Sequence, residues 1–265
     1  MTGVAGVMAL VLAEAVAGAT ALLWLTPLWN EVKRGFFKLV GVVLVALAAA
    51  TWFSVDSALV DRFAGGDLFR ATTIAASAAT TLWTTLLFAR RDTVARVVGE
   101  VSVALWLSVL SWMGTAGRQS FGLALFQLAA GAALLGATTD GLLLGHWYLT
   151  DRRLTRGPID RTTTILGGSV AVAAVAVLSG GFTGVESSTA INPLLTAGAL
   201  APWIALGMIA ATALIAVLVR IVLRGERPSA VQSATGFYYL AVVTAFTAEV
   251  AVKTRFLGEI RGPVT

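Results

Sequence analysis

Eight apolar runs, each long enough to cross a bilayer, follow one another through this chain with little between them. About 20 apolar residues span the roughly 30 Å hydrocarbon core at 1.5 Å of rise per helical residue. Backbone polar groups in lipid must be satisfied within their own segment, which selects helices. A barrel would need ten-residue strands of alternating polarity, and these runs are apolar on every side. Only 12% of the residues are charged, about half the fraction typical of a soluble domain. The expected fold is all-α: a polytopic transmembrane helical bundle forming one integral membrane domain over residues 1–265.

The spans are expected at about 3–26, 36–54, 71–89, 94–113, 121–148, 162–181, 199–223 and 230–252. The first has no charged leader and carries Glu14, a poor cleavable signal, so it is expected to be retained. The longest connection, about 182–198, has Glu186 as its one charge. None of the connections can build a core of its own, so a soluble catalytic part would belong to another chain.

Basic loops stay cytoplasmic. Alternate connections carry Lys33, Arg34 and Lys38; Arg90, Arg91 and Arg96; Arg152, Arg153, Arg156 and Arg161; and Arg220, Arg224 and Arg227. The opposite side has Arg62, Arg70, Arg118, Lys253, Arg255 and Arg261, giving 13 against 6 and placing both termini outside. The high pI is thus a topology signal, with attraction to anionic membrane lipid second. Dispersed in short loops, these residues form no nucleic-acid footprint.

There is no Cys and one His. Disulfides, thiolate zinc, iron–sulfur ligation and bis-His haem within the chain are therefore excluded. All three Lys flank the expected spans, which argues against a retinal Schiff base. No Gly-rich nucleotide-binding segment is present.

Each ionisable group inside a span needs a reason, because it costs roughly 2.5–3.5 kcal/mol at a helix centre. Glu14 lies deepest, on a face of mostly small residues (Gly3, Leu10, Ala17, Gly18, Ala21) suited to close helix packing. It is either a structural hydrogen-bonded carboxyl or a proton carrier. Glu249, with Lys253 four residues on, fits an interfacial ion pair, and Glu100 fits the same role with Arg96. The stripe Thr73, Ser77, Thr80, Thr81 and Thr84 fits helix packing.

The fifth span closes on Thr138-Thr139-Asp140-Gly141 and then Gly145-His146-Trp147-Tyr148. Trp147 and Tyr148 suit the interfacial aromatic belt. Asp140 lies about 120° around the helix from His146, which disfavours a dyad between them. The eighth span enters at the same depth with Gln232, Thr235 and Tyr239 on one stripe. If the two spans touch, His146, Gln232, Thr235 and Tyr239 would line an amphipathic inner-leaflet pocket suited to a quinone or another lipid-like ligand.

The leading expectation is an integral subunit of a bacterial electron-transfer system in the inner (plasma) membrane. It would have no covalently bound cofactor, a quinone as ligand, and a redox partner subunit supplying the electron-transfer cofactors. The alternatives are a proton-coupled secondary transporter using Glu14, and a structural or assembly protein without ligand. Against the transporter, no span is broken by an internal Pro except near the start of the seventh, at Pro202.

Overall fold

The computed structural model describes residues 3–58, 66–115, 119–151, 153–180, 197–225 and 229–256. These form α1 (Gly3–Leu25), α2 (Leu28–Glu31), α3 (Arg34–Ala58), α4 (Gly66–Phe88), α5 (Asp92–Thr115), α6 (Phe121–Thr150), α7 (Gly157–Ser179), α8 (Ala197–Leu223) and α9 (Ser229–Phe256). No strand occurs among the described residues. Eight of the helices are long and apolar enough to cross a membrane, and they match the eight expected spans. The chain is a multi-pass helical membrane protein. The connection expected at 182–198 falls largely outside the described residues, as do Arg62, Arg118, Arg152, Glu186, Arg227 and Arg261.

Helix α1 is the axis. Within its apolar window 83% of residues are buried, against 61% for α6 and 44% or less for the rest. Helices α3, α5, α6 and α9 pack on α1; α4 joins α3 to α5, and α7 and α8 join α6 to α9. The outward faces are apolar, with Val101, Leu107, Val217 and Val243 at least half exposed. Such faces suit lipid, where they cost nothing.

Close approach of α1 and α6 explains why these two are central. A Cβ on Gly18 would overlap the Ala132 carbonyl, and one on Gly136 would lie 2.3 Å from the Gly18 backbone. Only small residues let two backbones come this near, and in lipid such packing replaces the hydrophobic drive. Hydroxyls reinforce the second layer. The threonines of α4 donate to carbonyls one turn back, and Thr80 also meets Ser102 and accepts from the Trp106 indole, both at 2.9 Å. Thr73, Thr80 and Thr84 of the α4 stripe are therefore buried in helix packing, whereas Thr81 is exposed and bonds only its own helix.

At the basic end, ion pairs tie the connections together. Lys33 meets Asp151 at 2.8 Å, Arg34 meets Asp92 at 3.0 Å, and Arg161 grips Glu31 through both guanidinium nitrogens at 2.8 and 2.9 Å. The Arg161 hydrogen bond holds the Glu31 carboxyl below its ordinary range, and Lys33 does the same for Asp151. Tyr148 does not face lipid as the aromatic-belt expectation requires, whereas Trp147 stays partly exposed. Trp147 packs half-buried against Gly35, and Tyr148 is buried and donates to the Thr155 carbonyl. Arg96 sits 5.8 Å over the Trp29 ring and forms no ion pair with Glu100.

Candidate functional site

Glu14 lies at the midpoint of α1, eleven residues from either end, and is fully buried. Its Oε1 is 2.6 Å from Nζ of Lys253, which is equally buried, and Lys253 also donates to Glu249 Oε2 at 3.1 Å. Glu14 Oε2 has no hydrogen-bond partner. Helix α6 makes room for both acids with Gly131. A Cβ there would stand 2.6 Å from Glu14 Oε1 and 2.7 Å from Glu249 Oε2. Two carboxyls and one ammonium from α1 and α9 thus meet over a glycine of α6.

This corrects two sequence expectations. Glu249 and Lys253 do pair at i, i+4, but inside the bundle and not at the interface. Nor does Lys253 flank its span: α9 continues to Phe256, and the ammonium is enclosed by protein. The reason is the partner. A lysine one residue beyond an apolar run is drawn inward when a facing helix offers a buried carboxylate, and one sequence does not show which helices face each other.

The register along α6 fixes the rest of the seam. Helix α9 runs antiparallel to it, so Thr235 lies against Gly145 and Tyr238 against Gly141, fourteen and ten residues from Gly131. Buried Tyr238 shares a 3.0 Å hydrogen bond with Thr163 of α7. Nearer the opposite end, Gln127 donates to the Ala176 carbonyl at 3.1 Å. Asp140 is 2% exposed, and neither of its carboxyl oxygens has a hydrogen-bond partner. It falls one turn after Gly136, on the flank of α6 that turns toward α1. Nine residues from Gly131, it is about 13 Å further along the axis.

His146 and Tyr239 come together. The Tyr239 hydroxyl is 2.7 Å from His146 Nε2, and the rings meet edge to face at 5.3 Å. His146 Nδ1 lies 3.1 Å from the Leu142 carbonyl. A carbonyl only accepts, so Nδ1 carries the proton in the neutral ring, Nε2 accepts, and Tyr239 donates. Tyr239 is 51% exposed, and Gln232 is exposed. Thr235 is buried under Gly145 and donates to the Val231 carbonyl at 2.8 Å. Of the four expected residues, His146 and Tyr239 therefore meet on an open flank of α6 and α9, Gln232 is exposed without joining them, and Thr235 is turned inward and buried.

Among the described residues, no cluster of three His, Cys, Asp or Glu has the geometry to hold a metal. Comparison with protein-family models, with curated proteins and with solved structures gives no match.

Proposed function

We propose that this chain is a proton-coupled membrane protein in which Glu14 is the proton carrier. One observation supports this reading above all: two carboxyls share one ammonium at the centre of a closed bundle. An ionised pair of carboxylates against a single lysine leaves a net negative charge in a medium that penalises it heavily. Electroneutrality is reached when the cluster holds one proton. Glu14 is the member that lies at mid-membrane and has an unpartnered oxygen.

Such a group can exchange its proton with either side when its packing loosens, because the charge imbalance is relieved by uptake and restored by release. Lys253 limits the cost of the deprotonated state, and Glu249 keeps Lys253 in place when Glu14 is neutral. With the basic loops cytoplasmic, Asp140 lies on the cytoplasmic side of Glu14 and Gln127 on the exterior side.

The test is proton movement by the reconstituted chain. Liposomes holding a pH-sensitive dye and a potassium gradient should acidify when valinomycin imposes an inside-negative potential. Glu14→Gln should leave the bundle folded, since Lys253 and Glu249 remain as a neutral pair, and should abolish the acidification. Equal acidification with the Gln variant would remove Glu14 from the mechanism.

The electron-transfer reading, with a quinone or another lipid-like ligand at His146 and Tyr239, keeps a specific support in their 2.7 Å contact. In the neutral pair Tyr239 spends its donor on His146, leaving none for a quinone carbonyl. Protonation of His146 reverses the bond: Nε2 donates to the phenol oxygen, and the phenol hydrogen is released to a ligand facing the lipid. Ligand binding there would thus be tied to proton uptake, and a redox partner subunit would supply the electrons. Quinone co-purifying with the wild type but not with Tyr239→Phe would favour this reading over the carrier.

A further inference from the structure

At the basic end, α7 and α8 part to form a cleft of about 430 Å³ lined by Asp160, Arg161, Thr163, Thr164, Arg220 and Arg224. That volume lies within the usual range of about 300–1,000 Å³ for small-molecule sites. Arg161 is neutralised by Glu31. Arg220 donates to the Thr164 hydroxyl at 2.9 Å and has no carboxylate against it among the described residues. Arg224, one turn on, is exposed and forms no ion pair among the described residues. Arg156 does not compete, because its guanidinium caps the end of α8 at the Leu223 and Gly225 carbonyls.

Among the described residues, the Arg220 and Arg224 guanidinium charges against the Asp160 carboxylate leave a surplus of one positive charge. That balance suits a monoanion better than a dianion. Asp160 also asks for a hydrogen-bond donor close to the anionic group. A phosphodiester next to a hydroxyl or ammonium meets both demands, with guanidinium forks on the phosphate.

The surroundings point to a lipid as its source. From Arg224 toward the membrane interior, Ile221 and Val217 follow on α8 at the spacing of one face, and both are more than half exposed. On α7, Gly167 and Gly168 lie within one turn of Thr164, and a Cβ at either would meet nothing within 4 Å. Open apolar surface therefore adjoins the charged cleft on its membrane side. Basic pockets between helices at the cytoplasmic face are where anionic head groups bind.

We propose that the α7–α8 cleft binds the head group of a glycerophospholipid, with Arg220 and Arg224 on the phosphodiester and Asp160 on the adjoining hydroxyl or ammonium.

Native mass spectrometry of the full chain, released from phosphatidylcholine nanodiscs containing phosphatidylglycerol, reads the bound lipid directly. The wild type should retain one phosphatidylglycerol in preference to phosphatidylcholine, whose head group has no donor for Asp160. Arg220→Gln with Arg224→Gln should reduce that retention about tenfold. Because Arg220 also holds Thr164, Arg224→Gln alone is the folding-safe variant and should reduce it several-fold. Asp160→Asn should weaken the preference over phosphatidylcholine. Unchanged retention in Arg224→Gln and in the double variant would overturn the site. Displacement of the lipid by millimolar inorganic phosphate would overturn the lipid as occupant and point to a soluble phosphate instead.

Discussion

Removing the lysine from the central cluster should harm the fold far more than removing either acid. At an effective dielectric of about 20, the Lys253 ammonium and the Glu249 carboxylate, 3.1 Å apart, attract by about 5 kcal/mol. Desolvation of the ions offsets much of this, so the pairs contribute little net stability while all partners are present. Deleting one partner is different, because the remaining charges keep their desolvation cost. Lys253→Met should therefore destabilise the bundle by about 3–5 kcal/mol. Glu14→Gln should cost less than about 1 kcal/mol, since the cluster already holds one proton and the amide keeps its shape. Glu14→Gln, Glu249→Gln and Lys253→Met together should recover most of the loss, as neutral packing replaces a buried ion cluster. Denaturant titration in mild detergent, followed by helical circular dichroism, measures all three. The reasoning fails if Lys253→Met costs under about 1 kcal/mol, or if the triple variant is as unstable as Lys253→Met.

Gly18→Ala should weaken the α1–α6 contact by about 1–3 kcal/mol or more, because the new methyl has only backbone to displace; a lower thermal midpoint in detergent is the readout. Tyr239→Phe should cost about 0.5–1.5 kcal/mol by leaving His146 Nε2 without its donor. In the nitrogen-15 spectrum of labelled protein, the imidazole signals should move with it. The Glu31–Arg161 pair gives acid sensitivity of a defined sign. The folded carboxyl titrates below its ordinary value of 4.5, so its stabilisation is full above that value and fades as pH falls through the lower folded one. Glu31→Gln should therefore lower the thermal midpoint at neutral pH and flatten its decline below about pH 4.5.

The helices were legible because the solvent sets them. Any stretch such as 199–223, apolar on all sides, has one structure open to it in lipid, and the expected and observed spans differ mainly by a turn at their ends. Glu14 stood out because a carboxyl in mid-span is costly wherever it points. Its partner was hidden. Lys253 looks interfacial from its own helix and becomes buried only because α9 lies beside α1, a pairing that depends on Gly131 and Gly18 across three helices. The one signal for it was the small-residue face around Glu14, which marked a close neighbour without naming it. His146 and Tyr239 shared a depth in the sequence and meet in the fold, yet Gln232, on the same stripe, remains exposed. A stripe gives azimuth on one helix; the azimuth of its neighbour, which decides what is enclosed, comes from packing. Asp140 was noted for the dyad it could not make, and the packing leaves both of its buried carboxyl oxygens without a hydrogen bond.

The most direct test of a shared proton in the central cluster is infrared difference spectroscopy of the chain in nanodiscs, comparing wild type with Glu14→Gln and with Glu249→Gln. The wild type should show a protonated-carboxyl band at neutral pH that shifts in deuterium oxide and is lost both in Glu14→Gln and in Glu249→Gln, because the one carboxylate left then balances Lys253. Because Asp140 contributes a carboxyl of its own, the same comparison in an Asp140→Asn background isolates the signal. Identical carboxyl bands in wild type and Glu14→Gln in that background would mean that Glu14 is ionised, and that the cluster carries no exchangeable proton there.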